Sequence, residues 1–269
     1  KDTVDRKAPD WAVDANQAMQ GHSDLDLPET LGILASDVAL YIFTSGTTGL
    51  PKAATYKHQR LVTAASLLGK LTLRPKPGDR LYLCLPIYHI TGLGPGLCGF
   101  IAAGGTVCLR RTFSAGKFWS EVQAWQTNSF VYVGELCRYL VTQAPTDAEK
   151  NNPLQKMVGN GLRPDVWDEF KSRFDVDRIC EIYGSSEGNI SFLNLLNKEK
   201  TIGAAISRVT LVRYDNENDE ILRDASGRCI EVPVGEPCLL LGEISEKYKF
   251  DGYTDTSATE KKIVRDVLA

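Results

Sequence analysis

Residues 44–52, TSGTTGLPK, follow an apolar run with a stretch of small and hydroxyl side chains that ends in a lysine. Backbone N–H groups in a glycine-rich loop can surround phosphate oxygens, and hydroxyls add further donors. Lys52 would add a positive charge to the same oxygens. These residue types in this order favour a phosphate-binding loop over the plainer alternative, a glycine-rich surface turn.

The Walker loop, G-x-x-x-x-G-K-[ST], is the obvious comparison for this stretch. Gly46 and Lys52 have the required separation, but Pro51 replaces the second glycine and Ala53 replaces the hydroxyl that would hold magnesium. The motif therefore fails at two defining positions, which argues against a Walker-type nucleotide triphosphatase.

A second motif, EIYGSSEG, ends another apolar run and includes Glu187. Its GSSEG part matches the nucleophile elbow of α/β-hydrolases, which needs a histidine later in the chain. All three histidines precede it, so the hydrolase interpretation fails. A carboxylate at a strand end, facing a phosphate loop, is instead a natural magnesium ligand. The structural alternative is that Glu187 caps the segment that follows.

Two weaker motifs also lie at the ends of apolar runs. LPIYHITG places His89 where open α/β sheets bind their ligands, although a lone histidine is more often structural. GNGLRPDVW begins with a Gly-Asn-Gly turn that can bring the backbone close to a flat ligand, but such turns are common.

Apolar runs typical of strands alternate along the chain with stretches typical of helices. The strand-like runs are 39–44, 80–86, 106–111, 129–134, 156–161 and 178–184; the helix-like stretches are 56–70, 91–103, 115–127, 135–143 and 164–174. This alternation predicts an α/β fold, doubly wound, with a mainly parallel sheet and helices on both faces. Closely spaced strands after Asn189 predict a small antiparallel β lobe. We therefore expect a leading surface segment over 1–37, an α/β subdomain over 38–200 and the β lobe over 201–269.

Composition narrows the possible classes of protein. A net charge of −3 over 269 residues gives no footprint for nucleic acid. Seven cysteines without a C-x-x-C pair suit neither a disulfide framework nor a zinc site, and favour a reducing compartment. The longest near-apolar run is interrupted by five glycines and a proline, so we expect no membrane-spanning helix and a soluble chain.

Taken together and in this order, the motifs resemble those of the adenylate-forming superfamily, which includes acyl-CoA synthetases, luciferases and peptide-synthetase adenylation domains. The segments concerned are YIFTSGTTGLPKA, LPIYH, IYGSSEG and VGEPCLLLGEI. Three further segments resemble the fatty acid transport protein branch, the very-long-chain acyl-CoA synthetases: YVGELCRYL, GNGLRPDVW and SATEKKIVRDV. The resemblance extends from about residue 38 to the C-terminus. Ala53 and Ser186 depart from it mildly, standing where glycine and threonine are usual.

The resemblance implies an ATP-dependent acid–thiol ligase that uses Mg²⁺ and coenzyme A, with 38–200 as the AMP-binding subdomain. A fatty acid carboxylate would attack the α-phosphate of ATP, and CoA would then displace AMP. The catalytic residues would be Lys52, His89 (near the acyl carboxylate) and Glu187, with Thr44 and Glu187 binding the metal. The phosphates would be held by Thr44, Ser45, Gly46, Thr47, Thr48, Gly49 and Lys52. The rest of the nucleotide would lie against Gly159, Asn160, Gly161, Leu162, Glu181, Ile182, Tyr183, Gly184, Ser185 and Ser186.

The same resemblance places some parts of such a ligase outside this chain. A ribose-binding aspartate, a hinge and a C-terminal domain would follow Ala269; an N-terminal lobe and a membrane segment would precede Lys1. We therefore expect a central part of a long- or very-long-chain fatty acid–CoA ligase linked to fatty acid uptake, with little or no activity by itself. Its partners would be fatty acid, ATP and CoA, and the parent protein would face the cytosol on a membrane. A ligase for another carboxylic acid and a non-catalytic nucleotide- or lipid-binding module remain as alternatives.

Overall fold

The computed structural model of the chain describes residues 11–20, 22–23, 25, 27–44 and 50–268. Five of the residues predicted to bind phosphate lie outside the described residues: Ser45, Gly46, Thr47, Thr48 and Gly49. Both ends of that predicted loop, Thr44 and Lys52, are described.

Thirteen short strands lie within the described ranges. They are β1 Val38–Thr44, β2 Lys52–Lys57, β3 Arg80–Leu83, β4 Thr106–Leu109, β5 Ser129–Val133, β6 Lys156–Asn160, β7 Arg178–Gly184, β8 Ser191–Leu193, β9 Ala204–Ala205, β10 Val209–Val212, β11 Tyr214–Asp215, β12 Glu220–Ile221 and β13 Leu239–Gly242. Seven of them form one sheet in the order β4-β3-β5-β6-β7-β8-β9. The pairings from β4 through β7 are parallel, and β8 and β9 extend the sheet antiparallel.

The α-helices within the described residues are α1 Ala15–Met19, α2 His58–Thr63, α3 Gly99–Ile101, α4 Ala115–Trp125, α5 Gly134–Val141, α6 Pro164–Phe174 and α7 Thr256–Glu260. Those from α3 to α6 connect the parallel strands β3 to β7, whereas α1, α2 and α7 lie outside that run. α2 continues as a π-helix, Ala64–Leu73, and a second π-helix, Gly92–Cys98, leads into α3. Two 3-10 turns are Pro28–Gly32 and Asp147–Glu149. No helix in the described ranges has the length and apolar character needed to cross a bilayer.

Side chains of the parallel strands alternate between two buried clusters, one on each face of the sheet. Tyr82, Phe130 and Tyr132 pack with the helices α4, α5 and α6. Their neighbours Leu83 and Val131 pack on the other face, with the two π-helical segments. Because both faces are covered, the strands are apolar throughout, as predicted. The predicted α/β class with a mainly parallel, doubly covered sheet is therefore confirmed.

The prediction for the first strand-like run, 39–44, was wrong in its pairing. The run 39–44 is a strand, β1, but it pairs antiparallel with β2 in a separate hairpin rather than joining the parallel sheet. β2 itself was missed, because its first residues were treated as loop and its end as helix. α2 begins at His58, after the hairpin, rather than at residue 56.

A segment near the end of the described chain completes this hairpin. Thr55 N–H donates to the Gly252 carbonyl, and Thr254 N–H donates to the Ala53 carbonyl, each at 3.0 Å. A third buried cluster joins the two regions and comprises Ile42, Ala54, Tyr56, Tyr253 and Ala258. The hairpin is thus supported by residues from the far end of the sequence.

Small antiparallel pairs follow residue 201, as expected. β10 pairs with β13 and β11 pairs with β12. The division of the chain at 1–37, 38–200 and 201–269 stays a prediction.

Candidate functional site

Glu181, in β7, has a buried carboxylate with three hydrogen-bond donors. Its Oε1 accepts from the Tyr132 hydroxyl at 2.6 Å and from Leu162 N–H at 3.0 Å, and its Oε2 accepts from Gly161 N–H at 3.0 Å. Burial raises the pKa of Glu181, although these three bonds act in the opposite direction. The carboxylate therefore holds the loop that follows β6 against the sheet.

Glycines allow this loop to lie close to its neighbours. A Cβ at Gly159 would lie 2.1 Å from the Tyr132 carbonyl oxygen, and a Cβ at Gly134 would lie 1.8 Å from the Gly161 carbonyl oxygen. Gly161 has a φ of +78°, in the left-handed region that favours glycine. The Gly-Asn-Gly sequence thus brings backbone against backbone, and Asn160 is left exposed beyond it.

The turn after β7, residues 185–188, presents Glu187. Gly188 N–H donates to the Ser185 hydroxyl at 3.0 Å, and a Cβ at Gly188 would lie only 2.2 Å from that oxygen. Arg60, on α2, donates through one guanidinium nitrogen to the Gly188 carbonyl at 2.5 Å and more weakly to the Ser185 carbonyl at 3.5 Å. The turn is therefore held by its own bond between Ser185 and Gly188 and by the bonds from Arg60 on the neighbouring helix.

Glu187 meets Thr44 and Lys52, which face each other in the β1–β2 hairpin, at Tyr253. Lys52 Nζ lies 5.7 Å from the centre of the Tyr253 ring, and Thr44 donates from its hydroxyl to the Lys52 carbonyl at 3.3 Å. Burial and the adjacent Glu187 carboxylate raise the pKa of Tyr253 to about 12, while the Thr44 hydroxyl opposes the shift. A carboxylate, a hydroxyl and an ammonium thus surround one phenol.

The Glu187 carboxylate differs from that of Glu181 in its partners. Its side chain retains 17% exposure, and Lys262 Nζ lies 4.0 Å from Oε1, at the outer limit of an ion pair. Oxygens in this position can accept a hard cation together with the Thr44 hydroxyl. Within the described residues no group of three or more histidine, cysteine or acidic side chains is arranged to hold a metal. A metal here would need ligands from a bound substrate or water as well.

His89 lies in the turn between β3 and the helix after it, and the residue is partly exposed. Thr91 N–H donates to its Nδ1 at 3.3 Å, and partial burial lowers the pKa of the imidazole. The lowered pKa favours the neutral ring, and because Nδ1 accepts a bond, the proton of the neutral ring lies on Nε2. His89 can therefore offer a hydrogen bond rather than a charge.

The remaining predicted site residues lie at the end of β7. Tyr183 is 49% exposed, with its ring edge-on to Phe192, while Ile182 is buried in the sheet. Gly184 ends the strand and pairs with Ser191. The Ser186 hydroxyl interacts with the Tyr56 hydroxyl behind the turn.

Sequence reasoning missed three residues that touch this site: Tyr56, Arg60 and Tyr253. Arg60 Cζ lies 4.1 Å from the centre of the Tyr56 ring, a cation–π geometry. No short motif marks these residues, since each meets the site through the fold. The segment FDGYTD was visible, however, as an aromatic pair next to a motif already noted for its resemblance.

Comparisons with known proteins agree with this architecture. The chain is 47% identical over 236 residues to the medium/long-chain-fatty-acid–CoA ligase FadD6 of Mycobacterium tuberculosis. The aligned region covers 88% of this chain and 40% of that protein. It is 42% identical over 244 residues to long-chain fatty acid transport protein 1 of Homo sapiens, covering 87% of this chain and 37% of that protein. The chain thus spans about two fifths of the length of these curated relatives.

The fold also matches solved structures. The ATP-bound crystal structure of MatB from Rhodopseudomonas palustris superposes with a TM-score of 0.66 at 22% identity, covering 87% of this chain and 44% of that one. At that identity the match shows the fold alone.

The family model for AMP-binding enzymes matches residues 2–240, most of the chain. The resemblance to adenylate-forming enzymes and to the fatty acid transport protein branch is confirmed by this match and by the relatives. The chain belongs to the AMP-binding enzyme family.

Proposed function

We propose that this chain is the nucleotide-binding part of an ATP-dependent acyl-CoA synthetase for long- or very-long-chain fatty acids. One observation supports it most strongly: Thr44, Lys52 and Glu187, from two distant motifs, surround the single phenol of Tyr253. Thr44 and Lys52 border the segment proposed to bind phosphate, so their position beside Glu187 would bring the phosphates and the carboxylate together. The fatty acid part of the proposal follows the names of the relatives.

The proposed reaction has two steps. A fatty acid carboxylate oxygen forms a bond to the α-phosphorus of ATP, and the bond from that phosphorus to the bridging oxygen breaks, releasing pyrophosphate. The CoA thiolate then forms a bond to the acyl carbon, and AMP leaves with the bridging oxygen. No protein nucleophile is required in either step.

In the first step Lys52 would neutralise charge on the phosphate oxygens, aided by N–H groups of residues 45–49. His89 would donate from Nε2 to the acyl carboxylate and hold it in line. A neutral imidazole, which the lowered pKa of His89 favours, would orient this nucleophile without reducing its charge. The exposed ring of Tyr183 and the backbone of residues 159–162 would lie against the adenine.

The residues present fit a magnesium ion. Mg²⁺ prefers oxygen ligands and usually takes one or two from the protein, with the rest from phosphates and water. Glu187 and Thr44 supply a partly exposed carboxylate and a hydroxyl, both next to Tyr253. A bound Mg²⁺ would stabilise the negative charge that develops on the phosphates.

Membrane association of the parent protein belongs to the same proposal, supported by its resemblance to transport proteins.

Calorimetric titration of the chain with Mg-ATP tests the proposal. We expect saturable binding that weakens about tenfold or more in Lys52→Ala and in Glu187→Gln. Lys150→Ala serves as the matched control, since Lys150 is exposed and pairs only with its helical-turn neighbour Asp147 in the described contacts. Acyl-adenylate analogues of increasing chain length should bind progressively more tightly. Binding that ignores both substitutions would contradict the proposed site, and tightening only with aromatic or amino-acyl analogues would contradict the fatty acid assignment.

A further inference from the structure

Arg60 links the two halves of the candidate site but belongs to neither motif. It lies in α2, which directly follows the β1–β2 hairpin (the proposed phosphate-loop hairpin), and its guanidinium reaches residues 185–188 after β7. It donates to the Gly188 carbonyl at 2.5 Å and to the Ser185 carbonyl at 3.5 Å. These carbonyls flank Glu187 on both sides.

A second contact fixes the guanidinium itself. Its carbon lies 4.1 Å from the centre of the Tyr56 ring, and Tyr56 is only 2% exposed. Tyr56 ends the buried face of β2, the strand that begins at Lys52. Arg60 therefore rests on the hairpin while it holds the turn.

Arginine suits this position better than lysine. A planar guanidinium can stack on an aromatic ring and donate in its own plane at the same time. An ammonium on a flexible chain can supply the charge, but it does not combine both contacts in one rigid geometry. The side chain thus sets a fixed spacing between β2 and the Glu187 turn.

We propose that Arg60 is a positioning residue that holds the Glu187 turn at the correct distance from the phosphate-loop hairpin for Mg-ATP binding. This inference rests on the proposed function. Arg60 acts here through the carbonyls of Ser185 and Gly188 rather than on the nucleotide. Its loss should affect the magnesium-dependent part of ATP binding more than the rest.

The test compares Arg60→Met and Arg60→Lys with the unsubstituted chain. ATP affinity is measured by calorimetry with Mg²⁺ and again with EDTA, and amide hydrogen exchange is followed at Gly188. Arg223→Met is the matched control, because Arg223 likewise donates to loop carbonyls, those of Gly227, Arg265 and Asp266.

We expect Arg60→Met to weaken Mg-ATP binding about tenfold, with little change in EDTA, and to speed exchange at Gly188. Arg60→Lys should recover part of the loss, and Arg223→Met should bind as the unsubstituted chain does. Unchanged Mg-ATP binding in Arg60→Met, or an equal loss with and without Mg²⁺, would overturn the positioning role. If Glu187→Gln binds normally or the unsubstituted chain binds no Mg-ATP, the proposed function itself fails and this inference fails with it.

Discussion

Glu181 and Glu187 lie on either side of the end of β7, and their carboxylates have very different surroundings. Glu181 is 4% exposed and accepts three hydrogen bonds from Tyr132, Gly161 and Leu162. The Glu187 side chain keeps 17% exposure, with an ammonium 4.0 Å away and a phenol beside it. The oxygens of the Glu181 carboxylate are occupied by hydrogen bonds from the protein itself, whereas those of Glu187 can still bind a ligand.

The two glutamates of the EIYGSSEG motif are therefore expected to have different roles, Glu181 in stabilising the fold and Glu187 in binding a ligand. A buried carboxylate with well-placed donors stabilises the loop that donates them, and removing it leaves those donors unpaired. A carboxylate with poor partners contributes little to stability, so its place in the site needs another explanation. The comparison predicts that stability depends on the Glu181 region and ligand binding on the Glu187 region.

The largest expected effect comes from adding a side chain that clashes with the loop after β6, which the Glu181 carboxylate holds. Gly134→Ala would place a Cβ 1.8 Å from the Gly161 carbonyl oxygen, so the loop or α5 must move. We expect the free energy of unfolding to fall by about 3 kcal/mol, measured by urea denaturation. Gly116→Ala is the control, since nothing lies within 4 Å of its Cβ position. Equal stability of the two variants would show that the loop is not packed as described.

Replacing Glu181 by glutamine is the next largest change. The amide group keeps the shape of the side chain but replaces one of the two acceptor oxygens with an NH2 group, so at least one of the three donors is left unpaired. We expect a loss of about 2 kcal/mol in the free energy of unfolding. A loss below about 0.5 kcal/mol would mean that the three hydrogen bonds contribute almost nothing to stability.

Glu187→Gln should behave in the opposite way. Because its ion pair is long and its side chain partly exposed, we expect a change in unfolding free energy within about 0.5 kcal/mol. Thermal denaturation at a series of scan rates is the measurement. Destabilisation as large as that of Glu181→Gln would contradict the expectation that only the Glu181 carboxylate contributes appreciably to stability.

The smallest effect is a pH dependence that belongs to Glu181. Burial raises its pKa in the folded chain above the ordinary value of 4.5. The folded state therefore keeps this proton to higher pH than the unfolded state does, and stability falls as pH rises through the folded pKa. We expect the stability advantage of the unsubstituted chain over Glu181→Gln to be largest below pH 4.5 and smaller at neutral pH. Urea titrations at several pH values check this, and the reverse trend would mean that hydrogen bonding outweighs burial.

Much of the fold was accessible from the sequence. The parallel strands β3 to β7 were predicted because a sheet covered on both faces leaves apolar runs in the chain. α6 agrees with the predicted 164–174 because Pro164 is suited to a first helical position. β2, KAATYK, was missed because its stability as a strand comes from β1 and residues 252–254 rather than from its own pattern.

The site was predictable only in part. The sequence indicates Glu187, Thr44 and Lys52 because their motifs are short and continuous; the structure brings the three together at Tyr253, and their roles in binding stay a prediction. For Glu181, the sequence indicated its place at a strand end but not that its carboxylate turns onto Gly161 and Leu162. Arg60 contacts a carbonyl 128 positions away, which no local pattern reveals.

The backbone bonds between β2 and residues 252–254 have a consequence for how the protein is made. The bridge between Ala54 and Tyr253 joins positions roughly 200 residues apart, which at 5–20 residues per second are synthesised about 10–40 s apart. During that interval the β1–β2 hairpin lacks its bonds to residues 252–254, and Ile42, Ala54 and Tyr56 lack the Tyr253 side of their cluster. The parallel sheet can close first, so the β1–β2 hairpin gains its contacts with residues 252–254 only after that later segment has been synthesised.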